Sequence, residues 1–150
     1  MNLVDILTPA RIAVPLKASD KVEVIAELVD LLAADGAISD RDEVLRAVLA
    51  REEMRSTGIG SGLAVPHAKP RACSKLTAAV GKAIRPIDFA SSDGKPCEFV
   101  ALLVSPPDET GPHIQALARI SRVWLQESFR EAVRAANTPE ELYEAIRAAS

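Results

Sequence analysis

Ser56-Thr57-Gly58-Ile59-Gly60-Ser61-Gly62-Leu63-Ala64-Val65-Pro66-His67-Ala68 is the stretch whose reading decides the rest of the chain. Glycines at alternate positions, Gly58, Gly60 and Gly62, mark backbone that turns tightly or comes close to a neighbour, often a phosphate. No Gly-Lys-Ser/Thr follows, which excludes a Walker loop, and Val65 stands where the dinucleotide fingerprint needs its last glycine. Gly60-Ser61-Gly62 also lacks the pattern of a serine-nucleophile elbow and leads into a strand rather than out of one. A tight turn before a strand accounts for the glycines as well as a phosphate does. Pro66 restrains Val65 to extended geometry, so Leu63–Pro66 reads as a strand that stops at His67. That puts an imidazole at the carboxyl end of a buried strand, where α/β sheets place their sites. Taken alone, His67 also reads as a hydrogen-bonded edge histidine with no task.

Before this stretch the chain is helical. Residues 20–34 place Val22, Ile25, Val29 and Leu32 on one stripe with Leu28 beside it, the spacing of a helix packed on a core. Asp20 with Glu23 resembles a capping box, and Gly36 suits a left-handed stop. Ser39 opens a second helix with Val44, Leu45, Val48 and Leu49 as its apolar face, ending near Arg51. After it, Leu76–Ile84 and Glu98–Val104 read as strands, the latter buried because it hardly alternates, and Ile12–Leu16 as a shorter one. Residues 91–96 are a turn by composition. Helices return after Gly111: one with Ile114, Leu117, Ala118, Ser121, Trp124 and Leu125 as its face, then Phe129–Ala136, then one opened by Thr138-Pro139. This order has no internal repeat and no linker of disordered composition. It predicts a single α/β layered domain over residues 1–150.

The chain has two histidines, and the second sits much like the first. His113 follows the Pro- and Gly-rich loop Ser105–Pro112, at the end of a strand and the start of a helix. Helix N-termini attract anions and depress a nearby imidazole's pKa, so both rings can meet over one phosphate-sized site; a plain helix-start residue is the other reading. A zinc site would want a third ligand, and Cys73 and Asp108 offer no recognisable spacing. Phosphoryl transfer needs less: a neutral imidazole nitrogen as nucleophile, an acceptor to fix the tautomer, and donors for the phosphoryl oxygens.

Composition narrows the field further. The 150 residues carry 18 Lys and Arg against 21 Asp and Glu, a net charge of −3, with only 3% aromatics. Neither a basic footprint nor a stacking platform for nucleic acid is present. Apolar residues make up 48%, which excludes disorder. Runs such as Phe99–Val104 fall far short of the ~18 residues that span a bilayer, so no direct membrane insertion is expected. No secretory signal pattern is visible, and a cytoplasmic protein is expected. Cys73 and Cys97 lack a CxxC partner and read as small buried side chains.

Thr57 to His67 resembles the active-site signature of the fructose/mannitol-type EIIA proteins of the bacterial phosphotransferase system. The likeness extends to Arg51-Glu52, Pro86-Ile87-Asp88-Phe89, Asp93-Gly94-Lys95-Pro96, the run His113 to Ser121, Phe129-Arg130-Glu131 and Glu140-Glu141-Leu142. Within the family, Ser56 to Gly60 and Pro86 to Phe89 are most similar to the stand-alone nitrogen-regulatory branch. Ser61, Ala68 and Arg55 depart from the family pattern. The resemblance implies a small mixed β-sheet flanked by helices on both sides. It implies that His67 accepts a phosphoryl group, on Nε2, from a phosphorylated carrier of the HPr type, with Arg51 and His113 beside it. Arginine offers a planar fork for phosphate oxygens and His113 one more donor. Backbone N–H groups of Gly60, Ser61 and Gly62 are candidates for the same cradle, from composition alone. No cofactor or metal is required, because the donor is already a phosphohistidine. Expected partners beyond the carrier are an EIIB domain or regulated proteins such as kinases or ion transporters. The expected activity is a phosphohistidine relay rather than a multiple-turnover metabolic enzyme. The rival readings are a free-standing sugar-specific EIIA, a protein-binding module whose His67 is never phosphorylated, and a two-histidine metalloenzyme.

Overall fold

The computed structural model describes residues 2–150. After short 3-10 turns at Leu3–Ile6 and Pro9–Arg11, the chain forms β1 (Ile12–Ala13), α1 (Lys21–Ala34) and α2 (Arg41–Met54). The strands β2 (Gly58–Gly60), β3 (Leu63–Ala64), β4 (His67–Ala68), β5 (Thr77–Ile87) and β6 (Cys97–Val104) follow. The helices α3 (Thr110–Trp124), α4 (Glu127–Ala135) and α5 (Pro139–Ala149) close the chain. The strands make one mixed sheet in the order β1-β5-β6-β3-β2, with β4 also pairing β6. Helices cover both faces, the architecture that the family resemblance implied.

β6 is the spine of the sheet, antiparallel to β5 and parallel to both β3 and β4. Its sequence hardly alternates because both of its faces are buried. Phe99, Ala101 and Leu103 enter the core shared with α3, α4, α5 and the N-terminal turns. Val100, Leu102 and Val104 enter a second core beneath α1 and α2, which also takes in Cys73 and Cys97.

Local chemistry sets the helix boundaries. Asp20 accepts from the Glu23 N–H at 2.9 Å and starts α1, and Gly36, at φ 72°, follows its end. Along α1, Val24 takes the inward place, whereas Val22 of the expected stripe is 54% exposed. Asp40, not Ser39, caps α2 through the Glu43 N–H at 3.1 Å; Ser39 instead bonds the Ala72 carbonyl. α2 continues to Met54 rather than ending near Arg51, because the Glu52 carboxylate in its last turn is held by Thr57. Thr138 accepts from the Glu141 N–H at 3.1 Å and opens α5.

The strand expected over Leu63–Pro66 is two pieces. Pro66 has no N–H for the ladder, so pairing breaks there. Its carbonyl still accepts from the Leu103 N–H at 3.0 Å, and pairing resumes as His67 opposite Leu103 and Ala68 opposite Val104. His67 therefore opens a second strand segment instead of following the end of one. β1 likewise stops at Ala13, before Pro15. On α3 the apolar face is rotated from its expected position. Ile114 and Leu125 are exposed, while His113, Ala116, Ile120, Val123 and Trp124 point inward.

Candidate functional site

His67 is held by the backbone just before it. Its Nδ1 lies 2.8 Å from the Val65 carbonyl oxygen. A carbonyl oxygen only accepts, so Nδ1 carries the ring proton and Nε2 keeps a free lone pair. Burial holds the His67 pKa below its ordinary 6.5; the bond to Val65 opposes this, and the charge of Arg51 adds to the lowering. At neutral pH the ring is a neutral imidazole with Nε2 as its nucleophilic atom.

Arg51 reaches the same place from the last turn of α2. Its Nη1 donates to the Arg55 carbonyl at 2.9 Å, which fixes the guanidinium across the end of the helix. Arg51, Arg55, Gly58, His67 and Ser121 all line an open cleft of about 590 Å³. Its β2 wall depends on Gly58, where a Cβ would collide with Ser91 Oγ. That wall is tied to α2 by Glu52, which accepts from the Thr57 N–H at 3.0 Å and from its hydroxyl, and pairs with Lys21 Nζ at 2.8 Å.

His113 approaches from α3. It is not the first residue of that helix: Thr110 opens it, and the His113 N–H already donates to the Glu109 carbonyl at 3.1 Å. Burial, then the charges of His67 and Lys69, push the His113 pKa down to about 4. The rings of His67 and His113 lie 5.4 Å apart between centroids, at 63°. His113 Nδ1 is 2.7 Å from Ser105 Oγ, and its Nε2 is buried without a partner among the described residues. A second hollow of about 570 Å³ is lined by Arg51, His67, Lys69, Thr110 and His113.

The structure thus brings His67, Arg51 and His113 together, but leaves Gly60, Ser61 and Gly62 outside both hollows. These three make the turn between β2 and β3, with φ of 102°, 56° and 89°. The Ser61 N–H is already given to Asp93 Oδ2 at 2.9 Å, and the Ser61 carbonyl accepts from Trp124 Nε1 at 2.8 Å. Asp93 and Glu98 stand against the turn, an acidic setting that repels phosphate. The glycines here serve the turn, and the Ser61 N–H is already engaged by Asp93.

Cys73 and Asp108, weighed as third metal ligands, do not join the histidines. The Cys73 thiol is buried and donates to the Lys75 carbonyl at 2.9 Å. Among the described residues no group of three or more His, Cys, Asp or Glu side chains could hold a metal ion. Ser105 and Lys69 were not singled out by sequence. The one signal for Ser105 is that it is the first polar residue after the apolar run of β6.

Residues 5–149 match the family model described as phosphoenolpyruvate-dependent sugar phosphotransferase system, EIIA 2. A nitrogen regulatory protein of Pseudomonas aeruginosa is 31% identical over 146 residues, covering 97% of this chain and 95% of that one. A fructose-specific EIIABC component of Bacillus subtilis is also 31% identical over 146 residues, and there the chain spans only 23% of the relative. The crystal structure of nitrogen regulatory protein IIA-Ntr from Neisseria meningitidis superposes with a TM-score of 0.87 at 27% identity, covering 95% of this chain and 97% of that one. Among the described residues no helix is long and apolar enough to cross a membrane. With a matched fold, and a match running through the histidine, arginine and glycine positions above, this chain belongs to the EIIA 2 family of the phosphoenolpyruvate-dependent sugar phosphotransferase system.

Proposed function

We propose that this protein is a histidine phosphoacceptor in which His67 Nε2 takes a phosphoryl group from the phosphohistidine of an HPr-type carrier. The observation that carries the reading is the Nδ1–H bond to the Val65 carbonyl, which leaves Nε2 as the free nucleophile in a cleft with Arg51. The Nε2 lone pair attacks phosphorus, the P–N bond to the carrier's imidazole breaks, and that imidazole leaves with the electron pair. The Nδ1–H bond persists through the step, so the positive charge on the phosphorylated ring stays next to a carbonyl dipole. Arg51 offers a planar fork of donors to the phosphoryl oxygens, and His113 Nε2 offers one more. The scheme requires no metal, since the donor is an activated phosphoramidate.

The reaction sets the protein where such carriers work, in the cytoplasm, and makes it a relay rather than a metabolic enzyme. Its phosphorylation state is the signal: a phosphoryl group adds charge and acceptor oxygens at the His67 surface, which recruits or repels a regulated partner such as a kinase or ion transporter. The regulatory branch is favoured by the 0.87 superposition on a IIA-Ntr structure and by the relative matched over 95% of its length. The second reading, relay to a sugar-transporting EIIB domain, is favoured by the equal identity with the fructose-specific relative. Intact mass after incubation with phosphoenolpyruvate, enzyme I and HPr tests the proposal. One added phosphoryl group on the wild type and none on His67→Ala is the expected result. An unmodified wild type that still binds its partner would overturn it in favour of a phosphate-independent docking module.

A further inference from the structure

Ser105 is fully buried at the end of β6, and its hydroxyl lies 2.7 Å from His113 Nδ1. Either atom can donate across that distance, and the two choices differ in what they strand. If Nδ1–H donates to Oγ, the Ser105 hydroxyl proton has no acceptor among the described residues, and His113 Nε2 is left as a bare lone pair. Two buried groups are then unmatched. If Oγ–H donates to Nδ1, the Nε2–H is unmatched and the hydroxyl oxygen accepts nothing. His113 is neutral near pH 7, since its pKa lies at about 4, so one ring nitrogen carries a proton and the other does not. Each choice strands one donor, but the hydroxyl proton of the first is shut in at the fully buried end of β6, whereas the Nε2–H of the second belongs to a ring lining the hollow shared with His67 and Arg51, where an incoming oxygen can accept it, and this selects the second arrangement.

We propose that Ser105 is a positioning residue: its hydroxyl donates to His113 Nδ1, holds His113 as the Nε2–H tautomer, and so keeps an unpartnered donor beside His67 for the arriving phosphoryl oxygens. This rests on the reading of His67 as phosphoacceptor. The donor is useful because it is unsatisfied beforehand. Arg51 Nη1 already has the Arg55 carbonyl as a partner, whereas the His113 Nε2–H gains its bond only when the phosphoryl group is present. An interaction made only then favours the transfer itself and not the resting protein.

The test combines ring ¹⁵N NMR on histidine-labelled protein with the rate of phosphorylation by phospho-HPr. In the wild type, His113 is expected to show a protonated Nε2 and a hydrogen-bonded, unprotonated Nδ1. Ser105→Ala should move the Nδ1 resonance to that of a free ring nitrogen and slow phosphorylation about tenfold, the scale of one lost hydrogen bond. Ser105→Thr keeps the hydroxyl and should restore both; where its extra methyl disturbs folding, Ser105→Cys, a weak donor, should fall between. A wild-type His113 protonated on Nδ1, or a Ser105→Ala protein with unchanged ring spectrum and rate, would overturn the proposal. If the wild type takes no phosphoryl group, the phosphoacceptor reading fails, while the ring spectrum still decides whether Ser105 sets the tautomer.

Discussion

Glu52→Ala is the substitution whose cost can be worked most fully from the structure. Glu52 is 6% exposed, and its carboxylate accepts from the Thr57 N–H at 3.0 Å, from the Thr57 hydroxyl, and pairs with Lys21 Nζ at 2.8 Å. Thr57 is itself only 4% exposed, so water cannot replace the lost acceptor for its two donors. Each stranded donor costs about 1–3 kcal/mol. The Lys21 side chain keeps access to solvent and adds little. The sum is about 2–6 kcal/mol, which spans the about 3–5 kcal/mol seen when one partner of a buried pair is removed. Against a typical total of about 5–15 kcal/mol, that is enough to bring the variant close to unfolding. Glu52→Gln, which keeps one oxygen acceptor, should lose only about 1–2 kcal/mol. Urea unfolding followed by circular dichroism measures both, with the slope unchanged from wild type. A Glu52→Ala protein within about 1 kcal/mol of wild type would refute the reasoning, because the two Thr57 donors would then have found partners elsewhere.

The other expected outcomes concern the site. Arg51→Ala should slow phosphorylation by phospho-HPr with urea stability retained, while Arg51→Lys recovers part of the rate as a point charge without the fork; stopped-flow or quenched mass analysis reads this. His113→Ala should slow transfer by roughly 10²-fold, the scale of losing one charge-stabilising donor, in the same assay. Both histidines titrate below 6.5 in the folded protein, so on acidification the unfolded chain takes up protons first. Stability contributed by neutral His113 is therefore full above about pH 6.5 and is lost as pH falls towards about 4, by on the order of 3 kcal/mol. Urea midpoints across that window measure it, and His113→Gln should flatten the curve.

β6 was legible because burial on both faces leaves an unbroken apolar run, and α1 and α5 were legible because Asp20 and Thr138 cap them by local bonds. α3 was misplaced by one register because its inward-facing first residue is His113, which an apolar-stripe reading leaves out; Ile114 was taken in its place. The break at Pro66 was visible as a stop, but not the resumption at His67, which depends on β6 lying alongside. His67 and His113 could be named because the chain has only two histidines and each follows a strand, whereas Arg51, one of many arginines, was named through the resemblance alone. What the turn Gly60-Ser61-Gly62 does could not be read, since it depends on Asp93, Glu98 and Trp124, all distant in sequence. Ser105 acts only through a ring eight residues away that folding brings to it.

The central claim is that His67 Nε2 receives the phosphoryl group while Nδ1 stays protonated against Val65. Nitrogen–phosphorus correlation NMR on ¹⁵N-histidine protein, phosphorylated through enzyme I and HPr, tests it most directly. The account predicts one phosphorus coupled to His67 Nε2, with the Nδ1 proton still present. Phosphorus on Nδ1, on His113, or on a carboxylate would contradict it.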